Sequence, residues 1–343
     1  MTSSRTWVGA TSIHRLMFCL ASGVAAVSTS APRSPVSLAT DIGSIAHRAL
    51  EHWTRQRLWV EDEDGSLLRH EYETEGLRSG IKVNEEPGGR LLGMRVRNLG
   101  RSLRERLSAV APNQIFPEEA VEDSFSAIRG VIDLLILEEQ TVHVYDYKTG
   151  RSAVSEAKLA SDSVRTQMTA YGVVASRLYP DRRLHMAVVS PTQGIVEVPF
   201  DEEYGRQIVD RVQEFLLLPE EGRQHLAEPG SSYCYYCPRR LRCEPQWQAA
   251  LAAGWPDVVA GEVVDNSVSD NGRLLFAVKT AQGLSWVLDA SPERTKGIGG
   301  ASNSYLHGVR LHRVHNENGV DVHYRATADS ELMLSPQPFL PHD

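Results

Sequence analysis

Apolar residues recur at helical spacing at Ile42, Ile45, Ala46, Ala49 and Trp53. This predicts an amphipathic helix, capped by Asp41 and running to about Leu58. The acidic run from Glu61 to Asp64, followed by Gly65, reads as a surface turn. Leucines and arginines over residues 89–109 predict a second helix. The period then shortens. Residues 127–137 and 141–147 are β-rich runs joined by the polar Glu138-Glu139-Gln140. A helix over 163–178, strands at 185–190 and 194–200, and a helix over 203–217 follow. Strands alternating with helices define an α/β fold class for this part of the chain. The Ser/Pro-rich residues 28–37 read as a loop.

Beyond Trp255-Pro256 the pattern is all β, with runs at 262–268, 273–280, 284–289, 306–314 and 320–327. Asp270-Asn271-Gly272, Ala281-Gln282-Gly283 and Glu317-Asn318-Gly319 are hairpin turns between them. A long link separates only the third and fourth runs. This spacing predicts a small C-terminal β-barrel, OB-like or SH3-like. The expected division is residues 1–250 for the first domain and 251–343 for the second.

Composition adds limits rather than a function. The 343 residues are 41 % hydrophobic and 23 % charged with a net charge of −8, values of an ordinary globular protein. A nucleic-acid partner would need a local basic groove. Arg95, Arg97, Arg101, Arg104 and Arg106 form one arginine cluster, and Arg239, Arg240 and Arg242 another. Each reads equally as such a groove or as a solvated face. Residues 16–27 have the outline of a secretory signal but are too short to span a bilayer. Cys19 inside that run argues for a retained segment, and the expected compartment is the cytoplasm, without a membrane. No phosphate-loop motif is present, so no ATP motor is expected.

The densest chemistry lies in Gly130-Val-Ile-Asp133 and Asp146-Tyr147-Lys148-Thr149-Gly150. Along a strand Asp146 and Lys148 share one face while Tyr147 points to the other. If Glu139-Gln140 form a two-residue turn, opposing residues have numbers that sum to 279, which sets Asp133 across from Asp146. Cross-strand neighbours are about 5 Å apart, so both carboxylates could hold one hard cation. A three-residue turn would put them on opposite faces. A divalent cation would relieve their repulsion and activate a bound water, with Lys148 beside the phosphate.

Gly-x-x-Asp133 followed by Asp146-Tyr-Lys-Thr-Gly resembles motifs of the RecB-like PD-(D/E)xK nucleases, including AddB and the CRISPR-associated exonucleases. Gly43-Ser-Ile-Ala-His47-Arg-Ala-Leu-Glu51 is similar to their first motif, and Gln167-Met-Thr-Ala-Tyr171 to their Gln-x-x-x-Tyr helix. The resemblance covers residues 10 to 250 and implies a restriction-endonuclease-like core, a mixed sheet flanked by helices. It implies Mg²⁺ or Mn²⁺ held by His47, Asp133, Asp146 and the Tyr147 carbonyl, with Lys148 catalytic and Gln167 and Tyr171 on the substrate strand.

Cys19 stands apart from Cys234-x-x-Cys237 and Cys243, and these are the four cysteines of the chain. The clustered three can surround one centre and need a fourth ligand, for which Cys19 is the cysteine left. Zinc and an iron–sulfur cluster both satisfy this spacing. The arrangement is similar to the iron–sulfur variant of the RecB-like family, although Leu20 stands where members often carry Pro. That resemblance implies a [4Fe–4S] cluster stapling residue 19 to residue 243.

These features lead to the expectation of a metal-dependent DNA exonuclease acting on single strands or ends, in repair, recombination or phage defence. A helicase or a CRISPR-adaptation protein is an expected partner. The alternative is a non-catalytic nucleic-acid-binding subunit, with Phe276, Trp286, Tyr305 and Tyr324 as stacking residues or, more plainly, barrel core.

Overall fold

A computed structural model describes residues 6–23, 38–149, 153–155, 157, 159–219, 226–235, 237, 239–296, 304–314 and 322–335. The predicted loop at 28–37, the turn at 317–319 and Gly150 lie outside these residues, as does the side chain of Asp41. By Cα proximity the chain divides into two units. The first is Met1–Met17 with Val36–Leu218, and the second is Phe18–Pro35 with Pro219–Asp343. All four cysteines thus fall in the second unit, whereas the expected division at residue 250 grouped them with the nuclease segment.

The first unit runs β1 (Val8–Gly9), α1 (Ile13–Phe18), α2 (Leu38–Arg55), α3 (Ser66–Arg78), α4 (Gly89–Ser108), β2 (Ile115–Asp123), β3 (Ile128–Leu137), β4 (Thr141–Tyr147), α5 (Asp162–Leu178), β5 (Arg183–Ser190), β6 (Gly194–Glu197) and α6 (Glu202–Leu217). Its sheet follows the order β1-β3-β4-β5-β6, with β2 paired along β3. Strands β4 and β5 are parallel, joined by α5, while β2/β3, β3/β4 and β5/β6 are antiparallel. One edge of β3 carries β1 at Ile128 and Arg129, then β4 from Leu134 onward. Between them the strand is released from both neighbours on that edge, and Asp133 sits at the end of this gap.

Alternation along β4 and β5 sorts the two faces of the sheet. Leu134, Ile136, Tyr145, Tyr147, Ala187 and Val189 join Ile42, Ile45, Ala49, Trp53, Tyr72, Val96 and Leu103 of α2, α3 and α4 in one buried cluster. Each large side chain in it contributes roughly 1.5–3 kcal/mol by leaving water. The opposite face meets α5, where Gly172 lets Met186 and Phe200 approach so closely that an added Cβ would lie 2.8 Å and 2.6 Å from them. This is the mixed α/β arrangement expected from the alternation of periods.

Helix α3 and strand β2 were not expected from the sequence. The acidic run before α3 also differs from a plain surface turn. Asp62 is buried, accepting the Trp53 indole N–H at 2.8 Å and the Leu67 and Leu68 backbone N–H groups at 2.9 Å each. One carboxylate thus fixes the start of α3 against the end of α2, satisfying donors that a helix N-terminus leaves open.

In the second unit α7 (Ser231–Cys234) and α8 (Glu244–Ala253) precede eight strands. These are β7 (Val258–Val268), β8 (Leu274–Thr280), β9 (Gly283–Ala290), β10 (Thr295–Lys296), β11 (Tyr305–Val309), β12 (His312–Val314), β13 (Val322–Arg325) and β14 (Glu331–Ser335). The order β10-β14-β11-β7-β8-β9-β13-β12 begins and ends on unpaired edges, so no closed barrel forms among the described residues. The expected five-strand barrel is corrected accordingly. The run at 306–314 splits because Arg310 takes φ 58 between β11 and β12, and two further short strands, the polar β10 and the apolar-centred β14, add to the sheet. Phe276 and Tyr324 lie in the unit's buried core, and Trp247 and Ala250 of α8 pack with Val258 and Val309.

Replacing Asp62 by alanine leaves three donors without their acceptor. Asp62→Ala is expected to destabilise the protein by about 2–3 kcal/mol, read from urea unfolding followed by tryptophan fluorescence. A midpoint equal to that of the unmodified chain would contradict this role.

Candidate metal centre

The turn after β3 decides where the acids lie. Glu138 N–H donates to the Thr141 carbonyl at 2.9 Å across Glu139-Gln140. The ladder pairs Leu134 with Tyr145 through Leu137 with Val142, the register whose numbers sum to 279. Asp133 and Asp146 are the next opposing positions. Asp133 accepts the backbone N–H of Tyr147, and Asp133 and Asp146 are both buried.

A third acid joins them that the sequence reading missed. Glu118 of β2 lies opposite Asp133 in the β2/β3 register, at the one step where the ladder from Pro117 to Glu119 shows no pair. Its backbone takes φ 53, a conformation that costs a non-glycine residue of order 1 kcal/mol and clusters at functional sites. His47 of α2 reaches the same point, its Nε2 3.4 Å from Glu118 Oε1 and 3.4 Å from Asp133 Oδ1. Ligand atoms of His47, Glu118 and Asp133 all lie within 4.8 Å of one another. The signal for Glu118 was faint: Glu118-Glu119 follow Ile115-Phe116-Pro117 just ahead of the Gly-x-x-Asp strand, and the proline hides the hairpin partner that carries the acid.

Lys148 Nζ lies 2.6 Å from Asp146 Oδ2, in an alignment that leaves this buried oxygen without a directed hydrogen bond. Oδ1 of the same carboxylate accepts from the Gln167 amide at 2.9 Å. Tyr171 is buried and donates its hydroxyl to the Val131 carbonyl at 2.7 Å. Its ring explains Gly130, where a Cβ would meet Tyr171 Cε1 at 2.7 Å. Gly43 of α2 likewise allows Thr149 to close in, 2.8 Å from a would-be Cβ. His47, Glu118, Asp133, Asp146 and Lys148 therefore converge, with Gln167 and Tyr171 packed behind them.

The electrostatics are those of a cation-binding cage. Burial raises the Glu118 carboxyl above its usual range, and the charges of Asp133 and Glu51 add to this. Burial also raises Asp146; Lys148 opposes the effect and Asp133 adds to it. Burial would lower His47, but hydrogen bonds and charge from Asp133 and Glu118 push it up to about 9. Three acids sharing one buried corner is costly unless positive charge is present, and carboxylate oxygens with one imidazole suit Mg²⁺ or Mn²⁺. The donor set fits a divalent ion.

The arginine clusters separate. Arg106 is held by Glu138 at 2.6 Å and the Tyr145 hydroxyl at 3.1 Å, while Arg97 pairs with Asp64. Arg240 is buried in a bidentate contact with Asp257 at 2.7 and 3.0 Å, so it is a structural residue of the second unit.

Residues 12–244 match the profile of the PD-(D/E)XK nuclease superfamily. The chain belongs to that superfamily. Membership indicates a metal-dependent nuclease. Among curated proteins none matches the chain. Among solved structures it is similar to a crystal structure of SSO0001, with 16 % identity over 59 % of this chain and 97 % of that one, at a TM-score of 0.26. A murine DNA binding protein bound with ds DNA shares 12 % identity over 64 % of this chain and 93 % of its own, at a TM-score of 0.20. No helix of the described residues is long and apolar enough to cross a membrane.

In the second unit Cys234 is buried and Cys19, Cys237 and Cys243 are half-buried, and none of the four is joined in a disulfide. Burial pushes the Cys234 thiol up to about 11, and the neighbouring Cys237, Cys243 and Cys19 add to this. Cys243 is raised by burial and then by Cys237 and Cys19. Cys234 and Cys243 thus lie near enough to the other sulfurs to feel their charge. Backbone N–H groups of Glu228 and Gly230 reach the sulfurs of Cys19 and Cys234 at 3.4 Å each, and Gln246 N–H serves Cys243. Donated N–H groups suit thiolates, so the residues fit a thiolate-bound metal or cluster.

Neutralising Glu118 separates its two effects. Glu118→Gln is expected to weaken Mn²⁺ binding at least about 10-fold by isothermal titration, while the metal-free protein melts no lower because one repulsion is gone. Unchanged affinity would remove Glu118 from the centre.

Proposed function

We propose that this chain is a RecB-like DNA nuclease of the iron–sulfur type, an exonuclease on single strands or ends. The observation that carries this reading is the convergence of Asp133, Asp146 and Lys148 at the released segment of β3. His47, Glu118, Asp133, Asp146 and the Tyr147 carbonyl would hold Mg²⁺ or Mn²⁺. When bound, the ion supplies Lewis acidity toward a phosphate oxygen and an acidified water.

The remaining steps belong to the chain. Lys148 places a positive charge beside Asp146, where it can donate to the attacking water or to a phosphate oxygen as negative charge develops. Gln167 fixes the Asp146 carboxylate through its amide, and Tyr171 ties α5 to β3 through Val131. We assign both residues to positioning the acids rather than to direct contact with the strand. His47 is oriented by two carboxylates, which keeps its Nε2 turned into the corner.

Cys19, Cys234, Cys237 and Cys243 would ligate a [4Fe–4S] cluster. Joining residue 19 to residue 243 closes a loop containing the whole catalytic segment, which restricts the unfolded chain as a long-loop cross-link does. A role in repair, recombination or phage defence in the cytoplasm, alongside a helicase or a CRISPR-adaptation protein, fits the absence of a motor motif in the sequence.

Asp146→Asn and Lys148→Ala are each expected to lower Mn²⁺-dependent cleavage of an end-labelled single-stranded oligonucleotide by at least about 10²-fold with unchanged circular dichroism. Undiminished cleavage by either folded variant would refute the assignment. DNA retention without turnover in the unmodified protein would instead favour a binding subunit.

A further inference from the structure

Two cysteine sulfurs receive backbone N–H groups from one short segment, residues 228–230. That segment has its own restraints, and they meet at a single side chain. The Tyr233 hydroxyl donates to the Glu228 carbonyl at 2.6 Å. Its ring stacks on Phe18 with centroids 5.2 Å apart and planes 13° apart, and Phe18 directly precedes Cys19. The ring also covers Gly230, where an added Cβ would lie 2.4 Å from the ring carbon Cζ. Cys234 N–H returns to the Gly230 carbonyl at 2.9 Å, closing the turn that carries the second sulfur.

We propose that Tyr233, seated between Phe18 and Gly230, is a positioning residue that presses the 228–230 backbone onto the sulfurs of Cys19 and Cys234, raising the reduction potential of the bound cluster and slowing its loss. The proposal rests on the iron–sulfur reading above. Its physical basis is that an N–H donated to a ligating sulfur stabilises the more negative, reduced cluster, which is one of the levers by which proteins set cluster potentials. The stacked Phe18 and Tyr233 rings directly precede Cys19 and Cys234 in the chain, where they would restrict the approach of water and oxygen to those sulfurs.

The test uses the full chain purified without oxygen, with Tyr233→Phe, which removes only the hydroxyl, and Gly230→Ala, which displaces the ring. Iron and labile sulfide are measured first, followed by an EPR-monitored redox titration and the rate of bleaching in air. The proposal expects an iron- and sulfide-loaded unmodified protein. Gly230→Ala should shift the oxidised-to-reduced ratio at fixed poise about tenfold toward oxidised, or about 59 mV for a one-electron couple. Tyr233→Phe should shift it in the same direction by less, and both variants should bleach faster. A loaded protein whose two variants keep its potential and bleaching rate overturns the clamp and leaves the cluster standing. An unmodified protein holding zinc, or no iron and sulfide, overturns the cluster reading and the clamp with it.

Discussion

Repulsion of Asp133 against Glu118 on one side and Asp146 on the other is the constraint around which the first unit is arranged. The sheet brings these acids together where β3 has left β1 and β4 along one edge, and burial deprives them of the water that would screen them. Everything near the corner answers that cost. Lys148 stands against Asp146, Gln167 donates to it, the Tyr147 backbone donates to Asp133, and His47 is drawn into its charged form between Glu118 and Asp133. These partners make the corner tolerable, and a divalent ion would take the place of the His47 proton there.

The supporting packing serves the same end. The aromatic side of β4 is bound into a core with three helices, so Asp146 and Tyr147 cannot exchange faces without exposing Tyr145 and Tyr147. The glycine of Gly-x-x-Asp makes room for Tyr171, whose hydroxyl then pins the strand one residue later. Cross-strand geometry, helix packing and hydrogen bonding therefore all specify one placement of the carboxylates.

Much of this was legible from the residues. The two-residue bend at Glu139-Gln140 and strict alternation were enough to set Asp133 against Asp146, because a hairpin register follows from its turn. His47 and Lys148 were found through spacing and resemblance. Glu118 was not, since Ile-Phe-Pro-Glu-Glu-Ala-Val-Glu-Asp has no clean alternation and carries a proline, which masked the strand that delivers it. Helix α3 escaped because its charged and apolar residues form no stripe, and tertiary contact through Asp62 holds it instead. In the second unit local patterns revealed strands, yet their order depends on long-range pairing, such as β13 beside β9, that periodicity cannot show. The cysteines were visible as a set. That Glu228, Gly230 and Gln246 present N–H groups to three of them was not, because backbone donors leave no mark in a sequence.

The most direct measurement of the central claim is anomalous diffraction from crystals soaked in Mn²⁺. The account predicts a peak within about 2.0–2.6 Å of carboxylate oxygens from Asp133 and Asp146, with His47 Nε2 or Glu118 completing the shell. Strong anomalous density elsewhere, with these side chains pointing apart and no ion between them, would contradict it.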